Sequence, residues 1–284
     1  MHAYLIIAHD NWEILQLLLR SIDDERNAVF LHIDAKVKNV PSFRMEHSSL
    51  TIIPERIDVH WGDISVVEAE LALFENASKQ GRFDYYHLLS GADLPLWSQD
   101  HIHSFFAENA GKEFLGYTLL NITPELERKV QRWHLFPEDF QGNSLFGKVL
   151  RALWLRVQEL LGIKRNKGID FKKGTQWASL TDAMVELLLE KKEWIEKIFS
   201  HTFCPDEVYK QTICWNSPLR GNIYCINNDA HGCMRAIGWN NGALKDWSKE
   251  DYVKLESSEA LFARKFNTSD MDFINKILAL QCRG

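Results

Sequence analysis

The chain has 284 residues, 45% of them hydrophobic and 25% charged, with a net charge of −6. These are the proportions of a soluble globular protein, and the acidic balance argues against a dedicated nucleic-acid binder. Five cysteines (204, 214, 225, 233 and 282) form no CxxC pair and are odd in number, so they read as free thiols of a reducing compartment.

Residues Ala3–Ala8 have the pattern of a buried strand, too short for a signal peptide and followed at once by Asp10 and Asn11. Either polar residue can cap a helix carrying Trp12, Leu15, Leu18, Leu19 and Ile22 at helical spacing. Ala28–Asp34 is a second strand and Leu50–Pro54 a third. This opening predicts a parallel sheet with right-handed crossovers. No GxGxxG follows the first strand and no GxxxxGK[ST] occurs, which counts against dinucleotide binding and P-loop chemistry.

Ile57–Ser65 is a polar loop around Trp61, and Ser65 is placed to cap a helix over Val66–Ala77. Tyr85–Leu89 is a strand broken by Ser90 and Gly91, and Pro95 forbids a continuing central strand. Asp93 then lies just past a strand's carboxyl end, where ligands bind in open α/β sheets; an Asp capping its own turn is the other reading. Gln99–Ala107 reads as a helix, Glu113–Leu119 as a strand, Gln176–Leu180 as a strand, and Thr181 as the cap of a helix over Asp182–Glu190. Pro205–Cys214, Lys249–Leu255 and Ser269–Leu280 read as helices and Ile223–Ile226 as a strand.

The stretch 144–173 repeats apolar residues at helical spacing and carries eight basic residues against two acidic ones, a local charge of +6. It reads either as a basic amphipathic helix lying on an anionic membrane or as a core-packed helix with a solvated basic face. No linker or repeat interrupts the chain, so 1–284 is expected to form one domain, with 1–120 and 121–284 as its two halves. No apolar run is long enough to cross a bilayer.

Candidate chemistry is sparse. His101 and His103 point apart on a helix and have no third ligand, and Asp270 and Asp272 sit at a helix start, where capping explains them. Asp206 and Glu207 follow Pro205 at a helix N-terminus, where the dipole favours a carboxylate that can serve as a general base; only one of the two can face a cleft. Lys245 and Lys265, each in an apolar frame, could neutralise a diphosphate without metal, or simply snorkel at the surface.

Read together, the segments HAYLIIAHDNWEILQLLLRSI, FLHIDAK, VHWGDISVVEAE, YYHLLSGADLPL, GTQWASLT, CPDEVYKQTI and LFARKF resemble, in order and over nearly the whole chain, the core-2/I-branching glycosyltransferases, a family that also holds peptide O-xylosyltransferases. The resemblance implies a GT-A-type fold, with a Rossmann-like, mostly parallel α/β sheet flanked by helices. It implies an inverting transfer from a UDP-sugar, commonly UDP-N-acetylglucosamine or UDP-xylose, with no divalent metal and no other cofactor. Consistent with that, the turn where a DxD would stand reads Gly91-Ala92-Asp93-Leu94-Pro95.

By the same resemblance Glu207 is the base, and Cys204 stands where the family has Ser. Lys265 and Lys245 hold the diphosphate; where the family often has Arg, Lys245 lacks the bidentate fork. His9, Asp34, Trp61, Ser65 and Asp93 fall on the nucleotide side. Arg128, Arg132, Trp177 and Asp206 fall on the acceptor side. The implied partners are a nucleotide sugar and a glycan or lipid-linked glycan acceptor. The compact chain fits a cytoplasmic bacterial enzyme of surface polysaccharide or glycolipid synthesis, with 144–173 touching the inner face of the membrane. A non-catalytic sugar- or nucleotide-binding module is the rival reading.

Overall fold

The structure, a computed structural model, describes residues 1–142, 144–240 and 242–282. Its centre is strand β1 (His2–Ala8), which pairs in parallel with β2 (Asn27–Ile33) on one side and with β4 (Tyr85–Ser90) on the other; β3 (Ser49–Ile52) continues the parallel set beyond β2. Tyr4, Leu5 and Ile6 are wholly buried, as expected of a strand covered on both faces. Helices α1 (Trp12–Ser21) and α2 (Ser65–Gln80) make the crossovers. The predicted strand–helix–strand opening is therefore present.

Both helix caps differ from expectation. Asn11 is the cap residue of α1, but its backbone is left-handed (φ 53°) and its side chain makes no capping bond. Ser65 is the first residue of α2 rather than its cap. Asp63 accepts from the Ile64 N–H at 2.6 Å, while the Ser65 hydroxyl accepts from the His60 N–H at 2.8 Å and closes the preceding loop.

Past β4 the chain turns at Gly91, whose N–H donates to the Ile7 carbonyl at 2.9 Å. An added Cβ there would sit 2.9 Å from the Ala8 Cβ, so only glycine lets the ends of β1 and β4 approach this closely. Strand β5 (Asp93–Pro95) and helix α3 (Gln99–Glu108) follow. The strand expected over Glu113–Leu119 shrinks to β6 (Phe114–Leu115), with single bridges at Glu113 and Leu119. It stops because Gly116 lies against Asp229, close enough that a Cβ would come within 2.2 Å of its carboxylate.

Helix α4 (Pro124–Val130) precedes α5 (Leu145–Leu160), and the remainder of 144–173 is not helical. Strand β7 (Ala178–Thr181) pairs antiparallel with both β4 and β6, completing a six-stranded sheet of order β3-β2-β1-β4-β7-β6. Thr181 caps α6 (Asp182–Glu190) as predicted, its hydroxyl accepting from the Met184 N–H at 3.3 Å. Helix α7 (Lys192–Phe199) follows.

The helix predicted over Pro205–Cys214 is split into a three-residue 3-10 turn, Pro205–Glu207, and α8 (Tyr209–Trp215). The cause is local: the Glu207 carbonyl, which a continuous helix would use internally, accepts instead from the Gly174 N–H at 2.9 Å. Ile223–Ile226 forms no strand, only the single bridge of Ile223 to Glu113. Helix α9 (Asp229–Cys233) leads to β8 (Arg235–Ile237) and the hairpin of β9 (Trp239–Asn240) and β10 (Ala243–Leu244). After α10 (Tyr252–Glu256), β11 (Phe262–Arg264) inserts between β5 and β8, placing Arg264 opposite Asp93. Helix α11 (Met271–Ala279) closes the chain, with Asp270 as its capping side chain at 2.9 Å from the Phe273 nitrogen, as the sequence implied.

Alternate residues of the central strands feed two cores. Leu5, Phe30 and Leu88 face α2, α6 and α8; Tyr4, Val29 and Leu89 face α1, α3 and α11. All five cysteines are free thiols. No described helix is long and apolar enough to cross a membrane.

Candidate functional site

The carboxyl ends of β1, β2 and β4 form one edge of the sheet, and the chain delivers polar groups to it. The Asp34 N–H donates to the Ala8 carbonyl at 3.0 Å, which fixes the end of β2 beside that of β1. The buried Asp34 carboxylate accepts from the Lys36 N–H at 2.8 Å and lies 3.0 Å from Lys36 Nζ. Lys36 Nζ also reaches Asp58 at 2.5 Å. Burial acts against the Lys36 charge, but the bonds to Asp58 and Asp34 outweigh it and raise its pKa. Lys36, His60 and Trp61 line a cavity of about 310 Å³ together with Glu138 and Asp139. Trp61 is more than half exposed and edge-on to Phe203. His9 is exposed, 3.5 Å from Asp10.

Asp93 is enclosed. Its carboxylate accepts from the Ser90 N–H at 3.1 Å and from the Ser90 hydroxyl, and lies 3.7 Å from Arg264 Nε. Burial pushes its pKa up. Arg264 in turn stacks on the Trp177 ring at 4.1 Å. The acid at the tip of the turn thus faces the guanidinium that directly precedes Lys265.

Three backbone bonds bring the two lysine segments together. Gly238 N–H donates to the Arg264 carbonyl at 3.1 Å, Lys245 N–H to the Gly238 carbonyl at 2.9 Å, and Trp247 N–H to the Lys265 carbonyl at 2.9 Å. Each ammonium already has an acid nearby. Lys245 Nζ is clasped by both oxygens of Asp251 at 2.7 and 2.9 Å, whereas Lys265 Nζ stands 3.6 Å from Asp246. Lys265 is therefore the more available of the two. Among the described residues no group of three or more His, Cys, Asp or Glu is arranged to hold a metal ion.

Glu207 is presented by the 3-10 turn. Cys204, left-handed at φ 49°, ties its N–H to the Gly62 carbonyl at 2.8 Å and turns the chain into Pro205. Glu207 Oε2 lies 2.9 Å from Lys129 Nζ and 3.6 Å from Lys173 Nζ. Burial opposes the Lys129 charge, and the Glu207 carboxylate more than offsets it, so the Lys129 pKa is raised. Asp206 points the other way. Its Oδ1 is buried without a partner, and burial, then the charges of Glu207 and Glu70, push its pKa up to about 7. Both adjacent acids are half-buried, and Glu207 is the one paired with lysines.

Beneath the turn, Glu70 and Lys210 form a wholly buried ion pair, with the Tyr209 hydroxyl donating to Glu70 at 2.5 Å and Gln176 Nε2 at 2.9 Å. Gln176 belongs to the segment that starts at Gly174, bonded to the Glu207 carbonyl, and ends at Trp177, bearing Arg264. Three residue steps, at most about 10 Å of chain, thus connect the Glu207 turn with the segment bearing Arg264 and Lys265.

Of the remaining acceptor-side candidates, Arg128 and Arg132 line one cavity of about 410 Å³ with Glu127 and Glu159. Arg128 lines a cavity of about 780 Å³ with Lys129, Phe140, Arg151 and Phe203, and its Nε is 3.6 Å from Glu159. Arg132 is buried and bonded to Glu127 at 2.9 Å. Trp177 is buried beneath the Arg264 guanidinium. Lys129, Lys173, Glu70 and Lys210 were not singled out in the sequence. A lysine one position from Arg128 and a Glu-Lys pair 140 residues apart carry no local signal.

The profile of the Core-2/I-Branching enzyme family matches residues 2–265. Xylosyltransferase 2 of Rattus norvegicus is 21% identical over 305 residues, covering 99% of this chain and 34% of the relative. Xylosyltransferase oxt of Drosophila melanogaster is 22% identical over 294 residues, covering 93% of this chain and 31% of the relative. The chain therefore spans about a third of the length of these curated relatives. A crystal structure of mouse Xyloside xylosyltransferase 1 in its apo form covers 93% of this chain and 97% of its own at 10% identity, with a TM-score of 0.35. The family match runs through the parallel sheet and the Pro205–Glu207 turn and ends on Lys265 itself, and by it the chain belongs to the core-2/I-branching enzyme family.

Proposed function

We propose that this chain is an inverting glycosyltransferase that moves a sugar from a UDP-sugar to a hydroxyl of a glycan acceptor. The observation that carries the proposal is the position of Glu207. Its Oε2 is held by Lys129 and Lys173, and in this reading its Oε1, which bonds no side chain or backbone group among the described residues, takes the substrate hydroxyl. In the reaction Glu207 takes the hydroxyl proton as the acceptor oxygen bonds to the anomeric carbon. The bond from that carbon to the phosphate oxygen breaks, and UDP leaves from the opposite face. Lys265, with Lys245 behind it, offsets the charge that develops on the diphosphate. Asp34, Trp61 and Lys36 at the sheet edge suit the uridine end.

The turn chemistry supports a metal-independent reaction. The one acid of Gly91–Pro95 is enclosed by Ser90 and Arg264, so a cation is already in place there. N-acetylglucosamine and xylose are the donor sugars we favour, xylose gaining support from the names of the relatives. A glycan or lipid-linked glycan of surface polysaccharide or glycolipid synthesis, met at the inner face of a membrane through 144–173, is the acceptor we propose.

The test is Glu207→Gln, assayed by mass spectrometry with UDP-N-acetylglucosamine and UDP-xylose. Transfer should fall about 10²- to 10⁴-fold, the usual worth of a positioned base, while UDP still binds in calorimetry. Near-normal turnover by the variant would remove Glu207 from the reaction. UDP binding with neither transfer nor donor hydrolysis in the wild type would favour a binding module.

A further inference from the structure

Helix α5 is mounted with its polar residues inward. Gln158 accepts from the Trp133 N–H at 2.8 Å and donates to the Trp133 carbonyl at 2.9 Å; Arg151, buried, donates to the Asp139 carbonyl at 2.9 Å. Those bonds fix the rotation of the helix and turn its apolar residues to solvent. Leu145, Phe146 and Leu160 are 76%, 78% and 84% exposed, with Val149, Leu153 and Leu161 also exposed. Leu145, Val149 and Leu153 recur every four residues and Leu160 follows two turns on, along one side of the helix. The core-packed reading is met only in part: Leu150, Trp154, Leu155 and Val157 are half-buried, but the outer face is apolar rather than a purely basic one.

Basic residues accompany this stripe. Arg156 stands within it, 76% exposed, and Lys148, Lys164 and Lys167 are exposed around it. An apolar stripe with snorkelling cations matches an anionic bilayer surface, where the side chains enter the headgroup boundary and the charges meet lipid phosphates. A second copy of the chain fits less well, since the exposed Lys148, Arg156, Lys164 and Lys167 would meet their own charges across a two-fold axis.

We propose that α5 is a bilayer-docking helix that inserts Leu145, Phe146, Val149, Leu153 and Leu160 into an anionic membrane. Its inner side, through Arg151 and Leu155, helps wall the 780 Å³ cavity that also contains Lys129. Docking by the outer side would therefore set this cavity about one helix diameter, ~10 Å, behind the membrane surface. The role of that placement, delivering a lipid-linked acceptor, rests on the transferase reading; the bilayer contact does not.

The test is flotation of the full chain with vesicles of phosphatidylcholine alone or with added phosphatidylglycerol. The wild type should float with the anionic vesicles and release as salt rises. Leu145→Ser/Phe146→Ser/Leu153→Ser and Lys148→Glu/Lys167→Glu should each lose about tenfold in the bound fraction, with unchanged melting. A wild type that stays at the bottom of the gradient, or an apolar triple variant that floats equally well, overturns the proposal. So does light scattering that finds a wild-type dimer made monomeric by the triple variant, which would assign the face to a second copy. UDP calorimetry on the same samples separates the two readings. UDP binding without flotation ends the docking proposal alone, and flotation without UDP binding supports docking while counting against the transferase.

Discussion

Lys129 Nζ lies 2.9 Å from Glu207 Oε2, while Lys173 Nζ waits at 3.6 Å from the same oxygen. The carboxylate is therefore steered by two cations, of which Lys129 is the closer and the more enclosed. Removing Lys129 leaves the weaker partner in place. Lys129→Met is expected to cost about 10-fold to 100-fold in kcat/KM, within the 1.5–3 kcal/mol of a charge-assisted hydrogen bond. Lys129→Met/Lys173→Met should approach the loss seen in Glu207→Gln. Steady-state kinetics of the three variants checks the ordering.

The two donor-side lysines should not be equivalent. Lys265→Ala is expected to weaken UDP by about 10-fold or more, the lower end of a charge-assisted bond. Lys245→Ala should do less, because Asp251 holds that ammonium with both oxygens. Uridine affinity should change in neither variant. Calorimetry with UDP and uridine resolves this, and transfer rates of the wild type should be the same in excess EDTA.

The buried Glu70–Lys210 pair supports the turn that bears Glu207. Breaking it from one side leaves a charge uncompensated, so Glu70→Ala should destabilise the fold by about 3–5 kcal/mol. Glu70→Leu/Lys210→Met should recover much of that in urea melts, yet not the activity, because Gln176 and Tyr209 lose their common acceptor.

Stability should respond to pH through two opposed groups. His2, His87 and His103 cluster at the far end of the sheet: His87 Nε2 is 3.1 Å from His2 Nδ1, and His2 stacks on His103 at 4.0 Å. Burial lowers all three, His2 to about 2 and His103 to about 4. Below pH 6.5 the unfolded chain binds protons that the native cluster refuses, so this contribution is lost as pH falls. Glu113 and Asp206 act oppositely: burial raises each to about 7, so their contribution is present at low pH and lost as pH rises through 7. His103→Phe should therefore flatten the decline on the acid side, and Glu113→Gln should remove part of the decline between pH 5 and 8. Urea melts from pH 4 to 8 measure both.

The parallel half of the fold was legible because buried strands such as Tyr4–Ala8 and Val29–Ile33 are local apolar runs. Residues with fixed roles at chain turns, such as Thr181 and Asp270, were legible through capping chemistry. Where tertiary bonds overrule the local pattern the reading failed. The Gly174–Glu207 bond cuts a predicted helix in two, and β6 ends at Gly116 against the Asp229 carboxylate. In the site, Glu207 and the lysines could be picked out by chain position and family pattern. Their carboxylate and ammonium partners, Lys129, Asp251 and Asp246, could not, since nothing in a linear pattern marks which charges meet.

Strand β11 is three residues long, yet it is hydrogen-bonded on both edges, to β5 and to β8. Side chains alternate along a strand, so shifting this one by a single position would exchange inside for outside. Arg264 would leave Asp93, and the ammonium of Lys265 would swing to the reverse face. Libraries of single-residue insertions and deletions should therefore come back empty across 262–265, even where conservative point changes survive. The proposed phosphate grip is a matter of counting residues as much as of choosing them.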